Sequence, residues 1–197
     1  MNLLAHAYLS FGQPEILVGN MISDYVKGKT QYDYPIGIQH GIRLHRAIDN
    51  FTDHHEATYL GKHFFKPAVG LYAGAFMDVV YDHFLALDIN ELSEEEWKPF
   101  TLQVYQNLND HEILLPEKFA RQLPHMSTNN WLFHYRYPAA IEKSFGGLVR
   151  RTKYLTEHLP AFKIFETNYS SLKENYLAFF PDVKKFAEME LARLQSK

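Results

Sequence analysis

Helix signals dominate this amino-acid sequence, and they restrict the possible folds more than any other feature. Pro14 and Pro35 stand where the first turn of a helix would begin, and Ser93 with Glu96 forms a capping box. No alternating run of β-branched residues bounded by hairpin turns is present. The sequence therefore predicts an all-α fold.

The predicted helices fill most of the chain and leave no obvious domain boundary. We predict helices over residues 3–11, 14–27, 35–52, 54–63, 67–88, 94–109, 117–123, 129–136, 138–157 and 161–195. Neither a Gly/Pro/Ser-rich linker nor an internal repeat divides the 197 residues, and this length suits one large domain. We therefore expect a compact, single-domain helical bundle over residues 1–197.

The chain contains no cysteine and eleven histidines. Without thiolates it cannot form a disulfide, an iron–sulfur cluster or a cysteine-bound zinc site. Any metal ion must therefore be bound by histidine and carboxylate side chains, and histidine is the common nitrogen ligand.

The ends and the apolar segments of the chain carry no targeting or membrane signal. The first residues lack the basic region and the long apolar stretch of a secretory signal, which predicts a cytoplasmic protein. Residues 67–87 are apolar, but Asp78, Asp82 and His83 lie in their middle. Because an acidic residue at a bilayer centre costs about 2.5–3.5 kcal/mol on insertion scales, we expect a buried helix and no membrane partner.

The net charge of −3 is unevenly distributed along the chain. Residues 88–117 hold eight acidic residues against Lys98, a balance of −7, whereas residues 118–197 hold thirteen Lys or Arg against seven Asp or Glu, a balance of +6. These segments are either two solvated faces or, in the basic half, a surface for an acidic partner.

The predicted helix over residues 35–52 places a histidine and a carboxylate together. At about 100° per residue, Ile38, Ile42, His45 and Asp49 fall on one face, so His45 and Asp49 share an apolar stripe one turn apart. Such a pair is either a hydrogen-bonded pair at the edge of the core or part of a functional site.

The predicted helix over residues 67–88 is apolar on both sides and is expected in the core. Asp78 and Asp82 lie one turn apart on it, and His83 is adjacent. Burial would strengthen the repulsion between the two carboxylates, so that one of them is protonated or a cation lies between them. We favour a metal ion bound by hard oxygen ligands and imidazole.

Two further helices place polar side chains in apolar surroundings. Asn20 and Asp24 lie one turn apart after Gly19, a residue that allows another backbone or a ligand to approach closely, and His6 lies among apolar residues. Each feature alone is typical of a structural role. Because four helices each carry such a residue, we predict one shared centre in a helical bundle.

The arginines beside His45 indicate an anionic substrate. Arg43 and Arg46 flank His45, and positive charge beside a metal site commonly serves a phosphate group. A metal ion with an open position lowers the pKa of bound water to about 7 and so supplies a nucleophile for attack on phosphorus. Asp49 or a nearby histidine would take the proton of that water, and Arg43 would neutralise developing charge.

The residues discussed above resemble the motifs of the acyl carrier protein phosphodiesterase family, a branch related to the HD-type metal phosphohydrolases. The resemblance runs nearly end to end. It is carried by Asn2-x-Leu4-Ala5-His6, Gly19-Asn20-x-x-x-Asp24, Arg43-x-His45-Arg46-x-Ile48-Asp49-x-x-Thr52-Asp53, Asp78-x-x-x-Asp82-His83-Phe84-Leu85 and Trp131-Leu132-x-x-Tyr135-Arg136. Where the HD superfamily shows adjacent His-Asp, this chain has Asp82-His83 in reverse order.

The resemblance implies an HD-like fold and a specific reaction. The reaction is hydrolysis of the phosphodiester that joins 4′-phosphopantetheine to a serine of acyl carrier protein, aided by a divalent cation, usually Mn²⁺. Carrier proteins are acidic, so the basic half of the chain offers Lys143, Arg150, Arg151 and Lys153 as candidate contacts.

The candidate site residues divide into a group near the metal ion and a group with other roles. We expect the metal ion near Asp24, His45, Asp78 and Asp82. We expect catalytic or proton-transfer roles for His6, Asp49, His83, Arg43 and Arg46.

Two other functions remain open at this stage. The same metal centre would suit a phosphohydrolase of a nucleotide or another small phosphoester, for which a closed pocket is expected instead of an open groove. Alternatively, the chain is a helical binding module whose polar pairs are satisfied core networks. Acyl carrier protein is the expected partner, and a nucleic acid is not expected.

Overall fold

A computed structural model describes residues 1–196, and the regular structure within them is helical throughout. The helices α1–α11 comprise, in chain order, Leu3–Tyr8, Pro14–Ile22, Ile36–His54, Glu56–Val69, Ala73–Leu85, Glu94–Asp110, Glu117–Thr128, Trp131–His134, Pro138–Arg151, Leu159–Thr167 and Tyr169–Gln195. Short 3-10 helices comprise Ser23–Tyr25, Gly28–Asp33, Gly70–Tyr72 and Glu112–Leu114.

The all-α prediction is confirmed. The HD-like arrangement and the single domain stay predictions, and the predicted end at residue 197 lies outside the described residues.

Two of the predicted helices are wrong because each is divided in the structure. The predicted helix over residues 67–88 is interrupted at Gly70, whose φ of +55° is a conformation that favours glycine and ends α4. The predicted helix over residues 161–195 is interrupted at Asn168, whose side-chain amide donates to Ile164 O at 2.9 Å and closes α10. The predicted helix over residues 138–157 ends early, at Arg151, because Thr152 is extended.

Helices α2 and α3 pack with their backbones in close contact. A Cβ atom on Gly19 would lie 2.1 Å from Ile38 O and 2.8 Å from the Cα of Gly41. Both helices therefore need glycine at their crossing, as the sequence indicated for Gly19. This close approach brings the backbone of α2 within reach of the side chains of α3.

Helix α5 lies in the core and holds the first helix in place. Asp82 is fully buried on α5, and its two carboxylate oxygens accept hydrogen bonds from Leu4 N at 2.7 Å and Ala5 N at 3.1 Å. These amides belong to the first turn of α1, which has no side-chain cap of its own at Asn2. Asp82 therefore caps α1 and sets the position of His6.

The long α11 covers α3 and α4 on the other side of the core. Phe179 stacks on Tyr81 of α5 with ring centroids 4.4 Å apart, and Phe186 stacks on Phe51 of α3 at 4.6 Å.

None of the helices within residues 1–196 has the length and apolar character that crossing a bilayer requires.

Candidate metal centre

Two histidines from different helices stack on one another at the centre of the site. The rings of His6 on α1 and His45 on α3 are parallel within 17°, and their centroids are 3.9 Å apart. Asp49 lies one turn after His45. His6, His45 and Asp49 each offer a ligand atom, and these atoms lie within 4.8 Å of one another.

Asn20 on α2 orients both imidazoles through hydrogen bonds. Its side-chain amide nitrogen donates to His6 O at 2.8 Å and to Ser10 Oγ at 3.1 Å, so its Oδ1 is the atom that faces His6 Nδ1 at 2.8 Å. Its backbone carbonyl lies 2.7 Å from His45 Nδ1. Because both oxygens can only accept, both histidines carry their proton on Nδ1.

This arrangement leaves each Nε2 lone pair facing carboxylate oxygen when the ring is neutral. His6 Nε2 lies 3.1 Å from Asp49 Oδ1, and His45 Nε2 lies 3.1 Å from Asp49 Oδ2 and 3.4 Å from Asp24 Oδ1. His45 Nε2 is buried and forms no well-aligned hydrogen bond. Lone pairs directed at one another repel, so a positive charge is required between them.

A divalent metal ion would supply this positive charge. Ligand atoms at about 2.0–2.1 Å from a metal stand about 2.8–3.0 Å apart when they are neighbours in octahedral geometry and about 3.3–3.4 Å apart in tetrahedral geometry. The separations of 3.1, 3.1 and 3.4 Å fit that spacing. The donor set of imidazole nitrogen and carboxylate oxygen is also one that metal ions of this class accept.

The electrostatics of the cluster point to the same need for positive charge. Burial lowers the pKa of His45, but Asp24 and Asp49 outweigh that effect and raise it to about 9. Burial and the neighbouring charge of His45 lower the pKa of His6 to about 4. Burial also opposes ionisation of Asp49, yet His45 and His6 hold its pKa well below the usual range. Before a metal ion binds, a proton on His45 Nε2 therefore supplies the positive charge.

Asp78 on α5 extends the set of carboxylates. The α-amino group of Met1 lies 3.1 Å from Asp49 Oδ1 and 3.1 Å from Asp78 Oδ1, so both carboxylates face one cationic group. The amine is buried, yet attraction to Asp78 and Asp49 raises its pKa to about 10. Burial raises the pKa of Asp78 itself. This side of the site therefore also attracts positive charge.

A cavity of about 300 Å³ opens beside the cluster. Its lining includes His6, His45, Asp24 and Asp78. The side chain of Asp24 is 82% exposed, so the carboxylates are reached from solvent through this opening. The structure thus combines buried, oriented nitrogen ligands with carboxylates that an incoming ion or substrate meets first.

Two of the residues predicted for the site have other partners. Asp82 uses both of its oxygens to cap α1, and burial raises its pKa to about 7 although the amides of Leu4 and Ala5 oppose the shift. His83 is buried, with Nδ1 2.7 Å from Tyr135 O and Nε2 2.9 Å from Tyr169 Oη. The structure does not bring either side chain into the cluster of His6, His45 and Asp49, and their roles there stay predictions.

The two arginines beside His45 also point to other groups. Arg43 is half-buried and lies 3.5 Å from Gln39 Oε1. Arg46 is exposed and donates to Gln31 Oε1 at 2.9 Å and to Val26 O at 3.1 Å. Of the residues predicted around the metal or in catalysis, the structure brings together His6, Asp24, His45, Asp49 and Asp78.

Sequence reasoning missed the orienting role of Asn20 and a second cavity next to the first. Asn20 was visible as a polar residue after Gly19, but its contacts with His6 and His45 depend on how α1, α2 and α3 pack. The second cavity, of about 550 Å³, shares Asn2 and Arg151 with the first. The Trp131-x-x-x-Tyr135 motif, whose two aromatic residues line it, was its signal in the sequence.

Fold and site together define a helical protein with a cluster of two buried histidines and an aspartate, the side chains that commonly serve as metal ligands. The model of the family described as acyl carrier protein phosphodiesterase matches residues 1–183. The chain belongs to the acyl carrier protein phosphodiesterase family. Proteins of that name from Photorhabdus laumondii, Klebsiella pneumoniae and Yersinia pestis are 30%, 28% and 29% identical to it, over 95% of this chain and 96–98% of theirs. No solved structure matches the chain.

Proposed function

We propose that this protein is a metal-dependent acyl carrier protein phosphodiesterase. It hydrolyses the phosphodiester between 4′-phosphopantetheine and a serine of holo-acyl carrier protein. The family membership supports this reaction, and the oriented pair of His6 and His45 facing Asp49 is the observation that carries the metal-dependent chemistry. Bacterial relatives that match the chain at 28–30% identity over nearly their whole length are named acyl carrier protein phosphodiesterase.

His6, His45 and Asp49 are the proposed metal ligands, and Asp24 is placed to join them. Their separations suit neighbouring ligands, and Asn20 engages Nδ1 of both histidines, so that Nε2 is the nitrogen each ring offers for binding. His45 Nε2 gives up its proton when the ion binds. We propose Mn²⁺ as the ion, because the set mixes carboxylate oxygen with imidazole. When bound, a divalent cation activates water and withdraws charge from the phosphoryl oxygens.

Asp78 is the proposed acceptor of the proton from the attacking water. It lies at the cavity next to the cluster, and burial raises its pKa towards the range in which a carboxylate exchanges protons. Water adds its oxygen to phosphorus, the bond from phosphorus to the serine oxygen breaks, and that oxygen takes up a proton. The products are apo-carrier protein and 4′-phosphopantetheine, and no other reactant is needed.

Mass spectrometry of the substrate tests this function. Holo-carrier protein incubated with the enzyme and Mn²⁺ should lose the mass of its phosphopantetheine group. Asp49→Asn should lower Mn²⁺ affinity by at least about a hundredfold, the upper end for outer-shell changes, and abolish the reaction. Asp182→Asn is the matched control, because Asp182 forms a similar pair with His55 at 3.2 Å on the surface. Retention of the phosphopantetheine group, with hydrolysis of a nucleotide panel instead, contradicts the proposal.

The place of action in the cell follows from the substrate. Acyl carrier protein is the proposed partner, and fatty acid biosynthesis in the cytoplasm is where we expect the reaction.

A further inference from the structure

The second cavity, of about 550 Å³, lies against the metal centre and within the usual size range of ligand sites. Four residues line both cavities: Asn2, Leu3, Gln122 and Arg151. The two cavities therefore lie next to each other, and the smaller one holds His6 and His45 of the cluster. This adjacency suits a substrate that has an extended part on one side of its reacting group.

One face of α9 forms a wall of this cavity. Ala140, Ser144 and Gly147 follow one another at helical spacing along it, and all three are small. Trp131 and Tyr135 contribute aromatic surface to the lining. A lining that combines small residues with aromatic rings leaves a space suited to a narrow, uncharged chain.

The charges around the two cavities are of opposite kinds. The larger cavity is lined by Lys143, Arg150 and Arg151, and no Asp or Glu is among its lining residues. Among residues 1–196, the arginine and lysine ion pairs involve other side chains, so these three cations are not neutralised by carboxylates. The smaller cavity, in contrast, is lined by Asp24 and Asp78. A phosphate at the junction would meet Arg151 on one side and the metal centre on the other.

We propose that the larger cavity binds the pantetheine arm of the substrate, with the phosphodiester at the junction beside Arg151. This inference rests on the proposed function and adds a binding site for the part of the substrate that does not react. The arm is a neutral chain with amide groups, which matches small and aromatic walls with a few polar groups. The cations at the rim, Lys143 and Arg150, are left to face the acidic carrier protein from which the arm extends.

Filling the cavity tests the inference. Ala140→Phe places a ring inside it, whereas Ala139→Phe places the same ring on the neighbouring exposed position, which does not line the cavity. Ala140→Phe should lower kcat/KM for holo-carrier protein by about tenfold or more and leave Mn²⁺ affinity, measured by calorimetry, unchanged. Ala139→Phe should change neither value. Wild-type turnover by Ala140→Phe overturns the inference.

A second variant and a second probe make the result decisive. If Ala140→Phe also loses Mn²⁺ binding, Gly147→Met replaces it, because a Cβ atom there meets only the end of the Arg150 side chain at 3.7 Å. Binding of 4′-phosphopantetheine itself is measured with each Mn²⁺-loaded protein. If wild type binds this probe and the filled variants do not, the cavity site is supported, whether or not carrier protein is turned over. A lack of turnover would refute the proposed function and not the cavity site. Equal binding of the probe by wild type and filled variants refutes the cavity site.

Discussion

Replacing Asn20 with leucine removes the side chain that orients His6 and keeps a similar volume in the core. Asn20 is fully buried, and its Oδ1 is the acceptor for His6 Nδ1 at 2.8 Å. The carbonyl of His6 keeps a partner, because Ser10 Oγ also donates to it at 2.8 Å. The variant therefore leaves one buried donor, His6 Nδ1–H, without an acceptor.

The cost of that donor sets the size of the effect. An unpaired buried donor costs about 1–3 kcal/mol, and in a chain of this size each kcal/mol moves Tm by about 2–4 °C. We expect Asn20→Leu to lose about 2 kcal/mol and roughly 4–8 °C. Because His6 is then free to turn, Mn²⁺ affinity should fall about 10–100-fold, as it does when orienting partners are lost.

Ser10→Ala separates the two effects of this network. It removes one acceptor of the Asn20 amide but leaves Asn20 Oδ1 on His6. We expect a loss of about 1 kcal/mol in urea denaturation and the wild-type Mn²⁺ affinity in calorimetry. If Asn20→Leu is destabilised and still binds Mn²⁺ as wild type does, the orientation of His6 has no part in metal binding.

Three further predictions concern the pH dependence, a helix cap and a helix crossing. With a chelator present, the stabilisation that His45 contributes should be complete below its unfolded pKa of about 6.5. It should decline by roughly 3 kcal/mol as the pH rises through the folded pKa of about 9. In thermal melts across this range, Tm should fall less steeply with pH in His45→Gln than in wild type. Asp82→Asn leaves one amide of the first turn of α1 without its acceptor, so we expect the free energy of unfolding in urea to fall by about 1–3 kcal/mol. The accompanying loss of Mn²⁺ binding free energy should be smaller, and a larger loss would make Asp82 a metal ligand. Gly19→Ala should lower the free energy of unfolding by about 3 kcal/mol or more, because its Cβ would lie 2.1 Å from Ile38 O. Gly147→Ala is the control, because a Cβ there has no contact under 3.7 Å. An equal loss of stability in both variants would contradict this reasoning.

Relations within one helix were predictable from the sequence, because residue spacing determines which side chains share a face. His45 and Asp49 were placed together in this way, and the structure brings both to the cluster. The sequence also indicated that another group can approach Gly19 closely, because glycine has no side chain. In the structure that group is the backbone of α3. The same reasoning missed the break at Gly70, because glycine occurs both inside helices and at their ends.

Relations between helices were not predictable from spacing. The stacking of His6 on His45 depends on the position of α1, which in turn depends on the bonds that Asp82 makes to backbone amides. A buried aspartate has the same appearance in the sequence whether it binds a metal ion or caps a helix. Only the packing of α1 against α5 distinguishes the two roles.

The bond between Asp82 and the first turn of α1 has a consequence for how this protein folds. Helix α1 has six residues, too few to persist alone in water. Its cap, Asp82, lies 78 residues after Leu4, whose amide it accepts from. Helix α1 therefore becomes ordered only once α5 is in place, although many residues separate the two along the chain. Under the proposed function, metal affinity then depends on α5 as well: a chain that stops before α5 holds His45 and Asp49 but has no fixed His6 to complete the site.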